Sequence, residues 1–319
     1  MRIDLHTHSR ASDGTESPEE LVRSAAAAGL DVVALTDHDT AEGWPEAERT
    51  AREVGIELVR GIEISARHDG HSVHLLAYLP DPAYPPLVAA LQLVLDGRTA
   101  RLPEMLERLR GLGIAIDDED VRRVAGDAVA TGRPHVADAL IGLGVVGDRT
   151  EAFRRYLNPG RPAYANRYAA PLEEMLRIVA EAGGVTVIAH PWGRHGRDRP
   201  DEDALAGLAS NGLTGIEVDH QDHDAPTRER LRAIARNLGL VVTGSSDYHG
   251  TGKTDHELGC NTTAPDEYLR LLGRAAEAAA AAGRGVPVLA AGSAPTGPTS
   301  ARGSGTAEAP GWARPARRW

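Results

Sequence analysis

The residues whose types and spacing are best suited to chemistry lie at the start of the chain. A short apolar run ends in His6-Thr7-His8, and an Asp13-Gly14 pair follows in the next few residues. Residues two apart in a strand point to the same face, so the two imidazoles can converge on one point. Asp13 can reach back towards them from the following loop. This spacing predicts a metal site at the end of a strand.

Histidines and carboxylates recur where other predicted strands end. Apolar, β-branched runs stop at polar residues several times along the chain, and each stop carries a side chain that can bind a metal ion. The candidates at strand ends are His6, His8, His38, Glu63, His190, Asp219, His220, Asp247 and His249. One further candidate, His74, lies inside its predicted strand and is the exception.

The elements between these residues predict an α/β barrel. About seven predicted strands alternate with helices, and Ser17-Pro18-Glu19-Glu20 has the pattern of a capped helix start. In such barrels the active site lies at the C-terminal ends of the strands. The strand-end candidates therefore fall where a barrel places its chemistry.

The alternation of strands and helices is interrupted in the middle of the chain and stops before its C-terminus. Residues of about 84–165 predict helices and no strand, and residues 87–111 are apolar at helical spacing throughout. We therefore expect a barrel domain over 1–284 with a helical insertion. The Gly/Ala/Pro-rich residues 285–319 cannot bury enough apolar surface to fold, so we expect a disordered tail.

The composition narrows the class of function. With 41% hydrophobic and 25% charged residues and no apolar stretch long enough to cross a membrane, the chain is expected to be cytoplasmic. A net charge of −11 argues against binding long nucleic acid. A small anionic substrate stays possible, because bound divalent ions invert the local field. The single cysteine, Cys260, excludes an internal disulfide framework, and we expect it in the core.

The types of the candidate residues indicate which metals they would bind. Histidine, aspartate and glutamate without cysteine suit zinc, manganese or iron. Eight or nine candidates are too many for one ion and enough for two or three. Clustered divalent ions generate hydroxide from water and clamp phosphoryl oxygens.

Taken together, the motifs resemble the PHP (polymerase and histidinol phosphatase) family. They span about residues 2–265 in the family's order, and they are His6-Thr7-His8 with Asp13-Gly14, Thr36-Asp37-His38, Gly61-Ile62-Glu63, His190-Pro191 and Ser246-Asp247-Tyr248-His249-Gly250. The insertion carries Thr131-Gly132-Arg133-Pro134-His135 and Gly160-Arg161-Pro162-Ala163-Tyr164. These are similar to the branch that includes nucleoside 3′,5′-bisphosphate phosphatases, 5′-nucleotidases and a 5′-to-3′ exoribonuclease.

The resemblance implies a distorted (β/α)7 TIM-like barrel that holds two to three divalent ions, manganese, zinc or iron. It assigns three sets of ligands that share one bridging carboxylate. The first ion would be held by His6, His8, Glu63 and Asp247. The second would be held by Glu63, His74 and His190, and the third by Asp13, His38 and His249.

The implied activity is hydrolysis of a nucleotide phosphate monoester by a metal-bridged hydroxide. Arg133, His135 and Arg161 are the candidates for binding the phosphate, since arginine forks match phosphate oxygens in pairs. His195 and His223 are candidate general acids for the leaving oxygen. A 5′-nucleotide, a 3′,5′-bisphosphate and a short 5′-phosphorylated RNA all remain open, and the acidic charge favours the small substrates.

Two other functions stay open. One is a binuclear amidohydrolase that cleaves a C–N or lactone bond, although the form with a lysine bridge does not fit, because the only lysine, Lys253, follows the last strand. The other is a non-catalytic metal-binding PHP module, like those attached to some DNA polymerases. No ligand position is lost here, which favours an enzyme. The oligomeric state is open.

Overall fold

The computed structural model describes residues 1–193, 200–285 and 289, and within them the predicted barrel-like architecture is confirmed. The strands are β1 (Ile3–Thr7), β2 (Val32–Leu35), β3 (Glu57–His68), β4 (His71–Tyr78), β5 (Ala170–Pro171), β6 (Val185–Ile188), β7 (Gly215–Asp219) and β8 (Val241–Gly244). Seven of them pair in the order β1-β2-β3-β4-β6-β7-β8, and the short β5 pairs with β3 beside this path. The two ends of the sheet approach each other: just after β1, the His8 N–H donates to the carbonyl of Tyr248, which follows β8, at 2.9 Å.

Helices surround the sheet and fill the insertion. Those of the barrel are α1 (Pro18–Ala27), α2 (Trp44–Val54), α8 (Leu172–Glu181), α9 (Glu202–Ser210), α10 (Ala225–Leu238) and α11 (Pro265–Ala281). Those of the insertion are α3 (Pro85–Ala100), α4 (Leu102–Gly111), α5 (Asp118–Ala125), α6 (Arg133–Gly142) and α7 (Arg149–Ala152), followed by a π-helical turn, Phe153–Leu157. Every helix in the described ranges is too short or too polar to cross a lipid bilayer.

Three apolar clusters stabilise these layers. The largest lies between the strands and helices α1, α2, α8, α9 and α10. A second joins the strands to α11, and the insertion has a third cluster of its own, built from α4, α5 and α6. Helix α3 packs into the largest cluster through Leu87, Leu91 and Val94, so apolar contacts join the insertion to the barrel.

One strand runs against the others. β4 is antiparallel to both neighbours, β3 and β6, whereas the remaining pairs along the path are parallel. The cause is the tight turn at Asp69-Gly70, where both residues have positive φ angles of 46° and 84° and join β3 to β4 as a hairpin. The start of β4 therefore lies at the edge of the sheet where the parallel strands end, and this brings His74 to that edge.

One local prediction is refined by the structure and another is wrong. Residues 87–111 form two helices, because Pro103 lacks an N–H and cannot continue the preceding helix, so the chain bends at Arg101. Cys260 is exposed and lies outside the core, since the chain turns there with the Cys260 N–H donating to the Glu257 carbonyl at 2.9 Å. The tail expected over 285–319 lies almost entirely outside the described residues.

A buried hydrogen bond across the barrel offers a test of this fold. The fully buried Tyr78 hydroxyl donates to the Leu5 carbonyl at 2.8 Å and links β4 to β1. We expect Tyr78→Phe to lower the free energy of unfolding by about 1–2 kcal/mol, measured by urea denaturation of the metal-free protein. Tyr168→Phe is the matched control, because Tyr168 is 46% exposed. Equal stability of the two variants would contradict this role of Tyr78.

Candidate active site

The predicted ligands of the first ion converge beyond the ends of the strands. The Nε2 atoms of His6 and His8 lie 3.0 Å apart. One Glu63 oxygen, Oε2, lies 3.3 Å from the first of these nitrogens and 3.1 Å from the second. Asp247 Oδ1 lies 3.6 and 3.5 Å from the same two atoms. Two imidazole nitrogens and two carboxylate oxygens therefore face one small volume, and all four residues are buried.

The other Glu63 oxygen faces the predicted second group. Glu63 Oε1 lies 2.8 Å from His74 Nδ1 and 3.3 Å from His190 Nε2. His38 also approaches Glu63, with its Nδ1 at 3.1 Å from Oε2. Because its two oxygens face different imidazoles, Glu63 has the arrangement that a carboxylate bridging two ions requires.

The third group forms around Asp13. Its Oδ1 lies 3.3 Å from His249 Nε2, and its Oδ2 lies 3.6 Å from His38 Nε2. The structure also brings His8 to this group, with its Nδ1 3.8 Å from Asp13 Oδ1 and its ring stacked on His249 at 4.2 Å between centroids. His8 thus lies between the first and third groups. The structure brings all nine predicted metal ligands together.

Two nitrogens in this cluster test whether it suits metal ions. The Nδ1 atoms of His38 and His74 are buried and make no hydrogen bond among the described residues, although each lies close to a Glu63 oxygen. A buried polar atom without a partner is costly, and a ring nitrogen aimed at a carboxylate without a hydrogen bond is a metal ligand's position. The cluster of nitrogen and oxygen donors fits divalent ions.

The ionisation of three residues in the cluster suits metal binding, whereas nearby carboxylates raise the pKa of the buried His6 well above its usual range. Burial alone would raise the pKa of Glu63, but the imidazoles of His74 and His38 hold it well below its usual range. Burial would likewise raise the pKa of Asp247, but the ammonium of Lys253 and the imidazole of His6 hold it well below its usual range. Burial lowers the pKa of His249 to about 4. The carboxylates are therefore ionised and this histidine is neutral at neutral pH, which are the protonation states that metal ligands need.

Local chain geometry explains how Asp13 returns to the cluster. Asp37, which follows β2, accepts hydrogen bonds from the Ser9 N–H at 2.8 Å and from the Ser12 hydroxyl at 2.6 Å. Gly14 closes this loop so tightly that a Cβ there would lie 2.3 Å from the His8 carbonyl oxygen. A glycine is therefore required for the loop to fold back against the end of β1.

Residues behind the ligands hold them in place. His6 Nδ1 lies 3.2 Å from the buried Glu217 Oε1, which directs Nε2 of that ring towards the cluster. His220 Nδ1 accepts the Asp222 N–H, so its Nε2–H donates to Asp247 Oδ2 at 3.2 Å. Sequence reasoning missed Glu217, because it lies inside β7 and not at its end. Only its alternation with apolar neighbours could have indicated that it points to the other face.

The predicted general acids are not supported by a position in the site. His195 lies outside the described residues. His223 uses both ring nitrogens on the main chain, since Nδ1 donates to the Val218 carbonyl at 2.9 Å and Nε2 accepts the Trp192 N–H at 3.2 Å. His223 therefore links β7 to the turn after β6 by hydrogen bonds, and it does not line the cavity.

A cavity of about 890 Å³ opens between the metal cluster and the insertion. Its wall is basic, with seven arginines among its lining residues: Arg67, Arg101, Arg133, Arg149, Arg154, Arg161 and Arg167. Arg133 and Arg161 are thus where they were expected. His135 is not, because it is buried in the first turn of α6, where its Nδ1 accepts the Gly132 N–H at 3.1 Å and caps the helix. The concentration of cations contrasts with the net charge of −11.

Two of the cavity arginines have unusual surroundings. Arg101 is 6% exposed, forms no ion pair among the described residues, and its Nε has no hydrogen-bond partner there. Burial and the nearby guanidinium of Arg133 lower the pKa of Arg101 to about 8. Burial and Arg98 lower the pKa of Arg167 to about 9. The buried charge of Arg101, which has no ion-pair partner among the described residues, favours an anionic occupant of the cavity.

One histidine of the cavity was missed by sequence reasoning. The buried His256 donates its Nδ1–H to the Thr254 carbonyl at 2.7 Å, which leaves Nε2 without a hydrogen-bond partner among the described residues. It lines the cavity next to Lys253, whose ammonium contacts Asp247 Oδ2. The loop after β8 therefore contributes more than the Asp247 and His249 that the motif indicated.

Comparisons with known proteins agree with this geometry. The profile of the PHP domain matches residues 4–109. The chain is 36% identical over 258 residues to a 3′,5′-nucleoside bisphosphate phosphatase of Chromobacterium violaceum, a match that covers 81% of this chain and 90% of the relative. It is 34% identical over 248 residues to a 5′-3′ exoribonuclease of Haemophilus influenzae, covering 78% and 90%.

A solved structure extends the comparison to three dimensions. A protein of Bifidobacterium adolescentis, assigned as a metal-dependent phosphoesterase, superimposes with a TM-score of 0.82 at 36% identity. The superposition covers 85% of this chain and 96% of the other. The convergent histidines and carboxylates, the barrel and these matches lead to one conclusion: the chain belongs to the PHP family.

Proposed function

We propose that the chain is a metal-dependent phosphoesterase that hydrolyses a phosphate monoester of a nucleotide. The main support for this proposal is that one cavity combines a cluster of candidate metal ligands with a basic wall. Nine histidines and carboxylates converge at its floor, and seven arginines line it. The first feature suits divalent ions, and the second suits phosphate groups. The activities named for the bisphosphate phosphatase and the exoribonuclease support it.

Two to three ions of manganese, zinc or iron would be held by the three groups around Glu63. His6, His8 and Asp247 would complete the first group. When bound, such ions lower the pKa of water and offset the charge of a phosphoryl group. His74 and His190 would complete the second group, and the third would consist of Asp13, His38 and His249, with His8 beside it.

The side chains of the cavity bind and orient the substrate. Arg133, held over the rings of Phe153 and Tyr164 at 5.4 and 5.7 Å, presents a preorganised guanidinium. Arg101 supplies a buried charge that a phosphate dianion would neutralise. The Nε2 of His256 offers an acceptor to a substrate hydroxyl. The cavity has more cationic side chains than one phosphate group can pair with, and this favours a nucleoside 3′,5′-bisphosphate over a 5′-nucleotide.

The size of the cavity limits the substrate. About 890 Å³ suits a mononucleotide or a short 5′-phosphorylated RNA. The net charge of −11 opposes contact with a long nucleic acid outside the cavity. We therefore propose small substrates, with hydrolysis at a terminal phosphate.

A phosphate-release screen tests the proposal. The metal-loaded protein is assayed with 5′-AMP, adenosine 3′,5′-bisphosphate and a 5′-phosphorylated dinucleotide, beside a panel of amides and lactones. We expect phosphate release, fastest from the bisphosphate, and no turnover of the amides or lactones. Hydrolysis confined to the amide and lactone panel would overturn the proposal in favour of an amidohydrolase.

Removal of a ligand of the first ion tests the role of the cluster. We expect His6→Ala and Asp247→Ala each to lower turnover by about a thousandfold, because several kcal/mol of charge stabilisation would be lost. Circular dichroism should show the fold retained. His68→Ala is the control, since His68 contacts Glu173 at the outer end of the hairpin. Wild-type turnover in either first-ion variant would refute the ligand assignment.

The arginines are tested by separating substrate affinity from metal content. We expect Arg133→Ala and Arg101→Met to raise KM for the nucleotide about tenfold or more, as loss of a charge-assisted hydrogen bond requires. Metal content should not change. Arg155→Met serves as the control, because Arg155 pairs with Glu151 on the outside of the insertion. An unchanged KM would remove the substituted arginine from the phosphate site.

A further inference from the structure

The insertion contacts the loops that carry the third group of candidate ligands. Arg149, at the start of α7, forms a two-pronged ion pair with Asp138 of α6, with both N–O distances at 2.6 Å. The third nitrogen of its guanidinium donates to the main-chain carbonyl of Asp13 at 3.0 Å. The Arg149 side chain is only 12% exposed. One cation of the insertion is thus fixed against the loop that presents the Asp13 carboxylate.

The same guanidinium lies against the loop after β8. A Cβ on Gly252 would be 2.3 Å from an Arg149 nitrogen and 2.6 Å from its guanidinium carbon. Gly252 follows His249 closely, and the Gly252 N–H donates to the His249 carbonyl at 3.3 Å. Arg149 is therefore packed between the loops that carry two ligands of the third group, Asp13 and His249.

A second arginine of the insertion reaches the remaining ligand of this group. Arg98 of α3 donates from Nε to Asp39 Oδ2 at 2.6 Å and from a terminal nitrogen to the Ser65 hydroxyl at 2.9 Å. Asp39 directly follows His38, has a positive φ of 58°, and donates its N–H to the Glu63 carbonyl at 3.1 Å. The buried pair of Arg98 and Asp39 therefore holds the backbone on which His38 is presented.

We propose that Arg149 and Arg98 are positioning residues through which the insertion sets the affinity of Asp13, His38 and His249 for their ion. This inference rests on the proposed metal-dependent function. The first group is built differently, because His6 and Glu63 lie on barrel strands and His6 is oriented by Glu217, a barrel residue. Asp247 shares its loop with His249, and His8 lies between the two groups, so loss of an insertion arginine should weaken the third ion most and the first ion less.

The test measures bound ions directly. Wild type, Arg149→Met and the control Arg155→Met are stripped with chelator and titrated with Mn²⁺, and bound manganese is measured by mass spectrometry after desalting. We expect three ions in the wild type and the control. In Arg149→Met one of the three ions should have its Kd raised about ten- to a hundredfold, and the other two should change much less.

Gly252→Ala provides an independent variant, because its new methyl group must displace the guanidinium without removing it. It should weaken the same ion, and thermal unfolding of the metal-free proteins should show that both variants are folded. Unchanged manganese binding in folded Arg149→Met or Gly252→Ala would overturn the inference alone. A wild-type chain that binds fewer than two ions would overturn the inference and the proposed function together, and one that binds only two would overturn the inference.

Discussion

The structure depends on one buried carboxylate. Five imidazoles approach the two oxygens of Glu63 within 3.3 Å, from His6, His8, His38, His74 and His190. A carboxylate that is 1% exposed needs such partners to remain ionised, and burial without them would drive its pKa upwards. These imidazoles come from four different segments of the chain, since His6 and His8 share the end of β1. The barrel must therefore bring those segments together before the cluster can exist.

One antiparallel strand, β4, helps to bring the imidazoles to Glu63. A fully parallel strand would present ligands only from its C-terminal end. The hairpin at Asp69-Gly70 reverses β4, so His74 near its N-terminal end reaches Glu63 from the neighbouring strand. The insertion follows β4 and covers the cluster with a basic wall. Arg149 donates to the main-chain carbonyl of Asp13, and Arg98 donates to the side chain of Asp39 beside His38, so the insertion and the cluster are physically connected.

Much of the site could be predicted from local spacing, and the remainder depends on tertiary contacts. His6, His8 and Asp247 were indicated because metal-binding side chains at the ends of apolar strands are chemically unusual. The position of His74 followed only from the family resemblance, since its direction depends on how β4 pairs. The roles of His135 and His223 could not be read from residue type, because His135 Nδ1 and both ring nitrogens of His223 make main-chain hydrogen bonds that only the fold creates. Arg101 reaches the cavity because Pro103 ends one helix and begins another.

Metal-dependent phosphoester hydrolysis is the proposed function of this cluster, and one titration tests it most directly. Protein stripped by chelator is reloaded stepwise with Mn²⁺, and bound ions and phosphate release from the best nucleotide substrate are measured in the same samples. The stripped chain should be inactive, and turnover should appear as occupancy rises from one to at least two ions per chain. Full turnover by the stripped chain, or a fully active chain that carries one ion or none, would contradict the account.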